Sequence, residues 1–231
     1  MKKRVFFGKH CGKISVLVVI LIIFAFMTDT QASPKIGDII EFGEWNWRVL
    51  DMQGSRALII MEDMIERRPY CVNVQSANLT WETSNLREYL NGEFLQRFTE
   101  EEQGRIAESI INTPDNLWYG TKGGNDTTDK VFLLSLEELD KYFDNSGDYE
   151  NKMRKKWDGN QWISADNGMT LSNINDSGRV AKLGDQTSWW WLRSPGFDLG
   201  AAVVLGTGTV YIYGISVILD GGVRPVLWIN L

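Results

Sequence analysis

Few residues in this 231-residue chain suit acid–base or nucleophilic chemistry. The single histidine, His10, precedes an apolar run near the N-terminus, so everything after that run lacks imidazole. That excludes Ser-His-Asp triads, Cys-His pairs and His-ligated zinc. Of the two cysteines, Cys11 is also upstream, and Cys71 stands alone in the rest of the chain. Cys71 therefore has no internal disulfide partner. With no basic helix end beside it, it reads as a small, partly buried side chain rather than a reactive thiol. Paired carboxylates can hydrolyse a glycosidic bond. With 30 Asp and Glu residues such a pair is available almost anywhere, so no catalytic residue is assigned. The loop "GGNDTTDK" offers Asn125, Asp126 and Asp129 as oxygen donors of the kind calcium takes. Neither its spacing nor that of "DNSGDYENK" matches an EF-hand, and Asn, Asp and Gly form turns unaided. No metal and no cofactor are assigned.

Aromatic residues carry the stronger signal. "TSWWWLRSPG" places Trp189, Trp191 and Arg193 on one face of an extended strand, and Trp190 and Leu192 on the other. Trp190 with Leu192 is the better core pair, while Arg193 suits a tryptophan face or a carboxylate. In "TVYIYG", Val210 and Ile212 should take the core. Tyr211 and Tyr213 would then face outward as a rigid amphipathic pair, the kind of surface that binding proteins use. Any ligand site is expected on this hairpin and the neighbouring loops, at Trp118, Tyr119, Trp189, Tyr211 and Tyr213. Arg224, followed by Pro225, is expected to be buried against a carboxylate, because buried charges require partners.

The N-terminus looks like an export signal. Lys2, Lys3, Arg4, Lys9 and Lys13 precede a mostly apolar run of 14 residues from Ile14 to Met27. That length suits a signal peptide's hydrophobic region and is short for a membrane span of about 20 residues. Thr30-Gln31-Ala32 is a candidate cleavage site. Residues 1–32 are thus read as a signal peptide or, if uncleaved, a membrane anchor, and the protein as extracellular or cell-surface. From Ser33 onward 19 basic residues face 29 acidic ones, a net charge of −10. Such a surface argues against nucleic acid or anionic lipid as partner, and any membrane contact would come only through the N-terminal segment. Residues 33–231 suffice for one well-buried domain.

Strands open that domain. Ile39–Phe42, Trp45–Asp51 and Arg56–Glu62 are predicted as an antiparallel meander, with Trp45, Trp47 and Val49 on one face and Asn46, Arg48 and Leu50 on the other. Leu86, Tyr89, Leu90, Phe94 and Phe98 recur at helical spacing behind an N-cap at Thr83 or Ser84, with Gly92 a weak point. Thr99 with Glu102 and Ser135 with Glu138 form capping boxes for two more helices. "RIAESIINT" suits helix or strand, "LWYGTKGGNDTTDK" reads as loop, and Val131–Leu134 as a buried strand. Asp144 to about Asp185 reads as a long irregular segment, although Trp157, Trp162 and Ile163 argue against plain disorder. The tail is β: one strand through "SWWWLRS", then three more, turning near Gly206–Gly208 and at Asp220-Gly221-Gly222.

"WWWLRSPG" and the terminal "GGVRPVLWINL", together with "GDIIEFGEWNWRVLD" and "LREYLNGEF", resemble a family of exported or surface bacterial domains of unassigned function. The G-V-R-P strand and tryptophan-rich sheet also look like the C-type-lectin-like fold of formylglycine-generating-enzyme relatives and bacterial variable ligand-binding proteins. That resemblance implies an α+β fold of antiparallel sheets, a few short helices and a long irregular loop region. It also implies N- and C-terminal strands brought together, here Trp45–Asp51 with Val223–Leu231. The chain lacks the E-P-N or Q-P-D tripeptide of calcium-dependent sugar binding and the cysteine pair of the oxidase-type members, so neither activity carries over. The first reading is a non-catalytic exported binding module for a carbohydrate or protein ligand. The others are an extracellular carboxylate-based hydrolase and a structural envelope protein.

Overall fold

The computed structural model describes residues 33–72, 79–144, 156–157, 162–163, 170–171 and 177–231. The expected leader and most of the irregular segment from Asp144 to Asp185 lie outside the described residues. In chain order the strands begin with β1 (Ile39–Phe42), β2 (Trp45–Gln53), β3 (Arg56–Met61) and β4 (Glu66–Arg68). Helices α1 (Asn85–Tyr89) and α2 (Glu100–Arg105) follow, then the short strands β5 (Ile106–Ala107), β6 (Ser109–Ile111), β7 (Thr127–Asp129) and β8 (Val131–Phe132). After α3 (Leu136–Leu139) come β9 (Lys156–Trp157), β10 (Trp162–Ile163), β11 (Thr170–Leu171), β12 (Ala181–Leu183) and β13 (Gln186–Ser188). The tail holds β14 (Trp190–Pro195), β15 (Gly200–Val204), β16 (Val210–Ser216), β17 (Gly221–Val223) and β18 (Val226–Asn230).

The architecture is α+β: mostly antiparallel sheets with three short helices. One six-stranded sheet runs β1-β2-β3-β18-β5, with β8 also paired to β18. The other runs β11-β16-β15-β14-β17-β4. The expected meander forms, and the two ends of the domain share a sheet. However, β18 pairs with β3, Leu227 opposite Ile59, and not with β2 as expected. The reason lies in the strands themselves. Both edges of β2 are already taken, by β1 on one side and β3 on the other, so the free edge of β3, buried in every residue after Arg56, receives β18. Leu50 also departs from expectation. Val49 pairs with Ile59 and Asp51 with Leu58, so Leu50 is an extra residue in a bulge and turns inward, buried.

The helical stripe is buried as expected, with Ser84 as N-cap. After one α-turn the chain widens into a π-turn over Leu90–Phe94 and tightens into a 3-10 turn over Leu95–Arg97. Gly92 sits in the wide turn. Asn91 docks there on the strand beside it, donating to the Val131 carbonyl (2.8 Å) and accepting from the Lys130 amide (2.8 Å). Both capping boxes form. The ambiguous "RIAESIINT" resolves into β5 and β6. Part of the expected loop becomes β7, whose Asp129 accepts from Trp81 Nε1 (2.9 Å) and Arg87 Nε (2.7 Å).

The tryptophan stretch is buried on both faces. Trp190, Trp191 and Leu192 have no exposure, and Arg193 is 2 % exposed. The strand starts at Trp190, not Ser188, which belongs to the hairpin β12–β13. The tail after it holds four strands rather than three, because Gly221-Gly222 is strand and not turn. β17 runs parallel to β14, with Trp190 opposite Gly222. A Cβ on Gly221 would strike the rings of Trp189 and Trp191, and one on Gly222 would strike Met64. The glycines are where the tryptophans need room.

Two buried arginines join the sheets. Arg224 lies between β17 and β18. It donates to the carbonyls of Met61 (2.8 Å), Glu62 (3.1 Å) and Gly178 (3.3 Å), with its guanidinium 5.1 Å from the Trp190 ring centroid. Its hydrogen bonds go to backbone oxygens and not to the expected carboxylate. Burial pulls its pKa down to about 10, which leaves it charged at neutral pH. Arg193 does take a carboxylate: it grips Glu138 with both Nη atoms and also donates to the carbonyls of Leu133 (2.6 Å) and Asn112 (2.7 Å). Removing one partner strands the other charge. Arg193→Ala is expected to cost about 3–5 kcal/mol, read from urea unfolding followed by tryptophan fluorescence. The pair R193M/E138L is expected to recover part of that loss. A single substitution costing under about 1 kcal/mol would show that the pair is not structural.

Candidate ligand-binding site

β16 carries the site because of an irregularity in its pairing. Ala201 pairs with Ile215 and Val203 with Tyr211, so β16 accommodates two more residues than β15 between those points. The excess is even, so the strand's faces stay in phase across it. Val210 and Ile212 are buried, Tyr211 is half-buried and Tyr213 is 37 % exposed. This is the expected division. Gly214 makes the irregularity feasible: its φ is +86°, and a Cβ there would lie 2.6 Å from the Ala201 carbonyl oxygen. Gly196 crosses it closely, since an added Cβ would strike the Tyr213 carbonyl. The next amide, Phe197, donates to that same carbonyl (2.7 Å).

A second loop is fixed over this crossing by Asn116, which is fully buried. Its Nδ2 donates to the carbonyls of Pro195 (2.9 Å) and Ile212 (3.2 Å). Its Oδ1 accepts from the amides of Trp118 (3.1 Å) and Tyr119 (3.3 Å). The turn closes with Gly120 N to Asn116 O (2.7 Å) and Asn116 N to Thr121 O (2.8 Å). One side chain thus ties the tip of the tail hairpin to the loop that carries Tyr119.

Four rings meet as a result. Phe197 stacks on Tyr213 at 5.2 Å with 28° between their planes. Tyr119 stands edge-on to Tyr213 at 5.6 Å and lies 5.3 Å from Phe197. Tyr211 is 6.0 Å from Tyr213. Phe197 is 47 % exposed. Burial, and then the neighbouring phenols of Tyr211 and Tyr213, push the Tyr119 pKa up, so its hydroxyl stays protonated. The arrangement is a firm aromatic shelf that carries three neighbouring phenols.

The structure therefore brings together three of the five expected residues: Tyr119, Tyr211 and Tyr213. Trp118 is half-buried next to them in the Asn116 turn. Trp189 goes elsewhere. It packs edge-on against Trp191 at 4.9 Å and over Gly221, on the β17 side of β14, with β15 between it and β16. Sequence reasoning missed Phe197 and Asn116. The first follows a Pro-Gly break that ends a strand. The second begins "NLWYG", where an Asn side chain commonly caps a turn.

The other sequence candidates have local partners. Asp126 accepts from Asn112 (2.7 Å), Asn125 donates to Glu82 (3.0 Å), and Asp129 is buried against Arg87. Among the described residues no group of three or more His, Cys, Asp or Glu could hold a metal ion. Cys71 is buried and donates to Asn85 Oδ1 (3.3 Å). A shallow depression lined by Asn85, Glu88, Tyr89, Gly92 and Glu93 adjoins a charged network. There Tyr89 donates to Glu66 and accepts from Arg97 (2.8 Å), with the Arg68 guanidinium 3.6 Å from its ring centroid. Burial, then the bond to Glu66, keeps that phenol protonated. Each of these groups is paired inside the network.

Residues 54–231 match a family described as a domain of unknown function, DUF6273. The chain belongs to this family. No curated protein and no solved structure matches it.

Asn116→Ala removes the four side-chain hydrogen bonds that Asn116 makes to the backbone of Pro195, Ile212, Trp118 and Tyr119, and is expected to cost about 3 kcal/mol. Tyr213→Ala, at an exposed ring, is expected to cost about 1 kcal/mol or less. Urea denaturation of both variants checks this. Equal losses would mean that Asn116 does not organise the site.

Proposed function

We propose that this DUF6273 domain is an exported, non-catalytic binding module whose ligand lies on the shelf formed by Tyr119, Phe197, Tyr211 and Tyr213. The observation that carries this reading is the exposure of aromatic rings on backbone held rigid by Asn116 and two close-packed glycines. Rigid tyrosines give large contact area at low entropic cost. A half-exposed phenylalanine stacked on a tyrosine adds no core volume that the buried tryptophans do not already supply. The lectin-like reading of the fold draws support from the shared sheet of β2, β3 and β18, and such scaffolds present ligands from loops around their terminal strands.

The hydrolase reading has less to build on. The buried Asp129 and the half-buried Glu138 are committed to Arg87 and Arg193. An acid–base pair needs carboxylates free to exchange protons.

Export follows from the basic head and the apolar run of residues 14–27. In the native host the protein is expected in the medium or envelope fraction, and recovery from the cytoplasm would contradict export. Binding is tested with the purified full chain in mild detergent, screened against glycans and against purified envelope proteins. A bound ligand is expected to lose about tenfold or more in affinity when Tyr211 and Tyr213 are both replaced by alanine, with the melting transition retained. Unchanged affinity in the folded double variant would place the site elsewhere.

A further inference from the structure

We propose, resting on the shelf reading above, that the ligand class is an uncharged polysaccharide, and that Asp198 at the rim of the shelf excludes anionic chains. Three observations lead there. The first is ring spacing. Centroids at 5.2–6.0 Å mean that Tyr119, Phe197 and Tyr213 touch one another and that Tyr211 touches Tyr213. A cage for a cationic group needs a gap between ring faces wide enough for the cation, and here the rings fill that space themselves. What remains is an outer surface of aromatic edges and faces that also carries the three neighbouring phenols of Tyr119, Tyr211 and Tyr213. A pyranose ring matches it: one apolar C–H face to stack, and a girdle of hydroxyls to exchange hydrogen bonds with phenols.

The second observation is charge. From Pro195 to Asp220 the chain contains no Lys or Arg, and its only charged residues are Asp198 and Asp220. In the Asn116 loop the nearest cation, Lys122, is paired with Asp115 at 2.6 Å. Among the described residues of these two segments, a polymer bearing carboxylates or sulfates would meet Asp198 with no unpaired cation to offset the repulsion.

The third is backbone conformation. Gly200 N donates to Phe197 O (3.0 Å), closing a turn in which Asp198 has φ +51°. Among the described residues it is the one non-glycine with positive φ. Glycine would adopt that conformation with less strain. The turn holds the exposed carboxylate beside Phe197, which is where a selective charge has to be.

The test is affinity electrophoresis of the full-length protein in mild detergent, at low and at physiological salt. The neutral polymers are hydroxyethyl cellulose, a soluble β-1,3-glucan and glycol chitin. The anionic ones are alginate, polygalacturonate and hyaluronan. At least one neutral polymer is expected to retard migration while the anionic set does not. Phe197→Ala and Tyr213→Ala are each expected to weaken that retardation about tenfold. Asp198→Gly is expected to melt at or above the parent temperature. Asp198→Asn is expected to hold neutral polymers within about twofold of the parent and to gain retardation by an anionic one. The inference is overturned if anionic polymers bind as well as neutral ones, if the ring variants bind unchanged, if Asp198→Asn gains nothing, or if no polysaccharide is retained. In the last case, a purified envelope protein that binds the parent and is lost in Phe197→Ala and Tyr213→Ala would leave the shelf standing as a site and remove only its assignment to glycans.

Discussion

The fold depends on the Arg193–Glu138 ion pair, because it is made where the two large sheets and the third helix meet. Arg193 belongs to β14 of the second sheet. Leu133, which it also holds, follows β8 of the first. Glu138 caps α3 through the Ser135 amide (3.0 Å) while receiving the guanidinium. The backbone of Arg193 is engaged as well: its amide donates to Leu134 O (2.9 Å) and its carbonyl accepts from Tyr70 (2.9 Å). Desolvating two charges is unfavourable by several kcal/mol each, and an apolar replacement of equal volume can be just as stable. What such a replacement lacks is direction. The planar fork of arginine accepts only one relative placement of helix, strand and carbonyls, and that placement sets the register of β14.

Register matters because β14 has no tolerant face. Trp190 and Trp191 point to opposite sides, each burying on the order of 200 Å², and their indole nitrogens donate to the carbonyls of Arg179 and Arg68, both at 2.9 Å. A slip by one residue would exchange the two rings and break both bonds. The parallel neighbour β17 complements them by omission, since Gly221 and Gly222 leave the volume that the indoles and Met64 occupy. Immediately after β17, Arg224 covers the Trp190 ring and gathers carbonyls from two other segments. The "WWWLR" and "GGVR" motifs are thus two halves of one steric and electrostatic fit, which explains why both stand out in the sequence.

Much of this was legible and some was not, for definite reasons. The meander, the capped helices and the inward and outward faces of "TVYIYG" follow from local periodicity and capping chemistry, which act over a few residues. The position of β18 does not, because it depends on which strand edge is left free, and β2 is already flanked by β1 and β3. Gly221-Gly222 reads as a turn in the sequence, because glycine's conformational freedom and its lack of a Cβ look identical there. Here the missing Cβ is what counts. Arg224 is expected from the sequence to take a carboxylate, yet the carbonyls of Met61, Glu62, Gly178 and Arg179 satisfy it. Tyr119, Tyr211 and Tyr213 were legible as candidates from type and alternation. Phe197 and Asn116 were not, since a chain crossing between residues 116, 196 and 214 leaves no spacing to read.

That crossing also explains how an exposed aromatic group can persist on this protein. An exposed ring normally keeps its rotamer freedom, and ordering it on binding reduces affinity. Here the backbone under each ring is already fixed: Tyr213 through its carbonyl bond to Phe197, Phe197 through the turn to Gly200, and Tyr119 through Asn116. The rings then restrain one another by contact. The entropy of ordering is spent on folding, and the opposing stability comes from the core, where Val210 and Ile212 anchor the same strand. Tyr211 and Tyr213 lie on β16, separated by β15 from the β14 strand that carries Arg193, and are tied to it through the β14-β15 and β15-β16 ladders. The even excess of residues on β16 is what reconciles the two demands. It lifts Tyr213 and Gly214 out to meet Gly196, and it returns Ile215 to the ladder without inverting the strand's buried face.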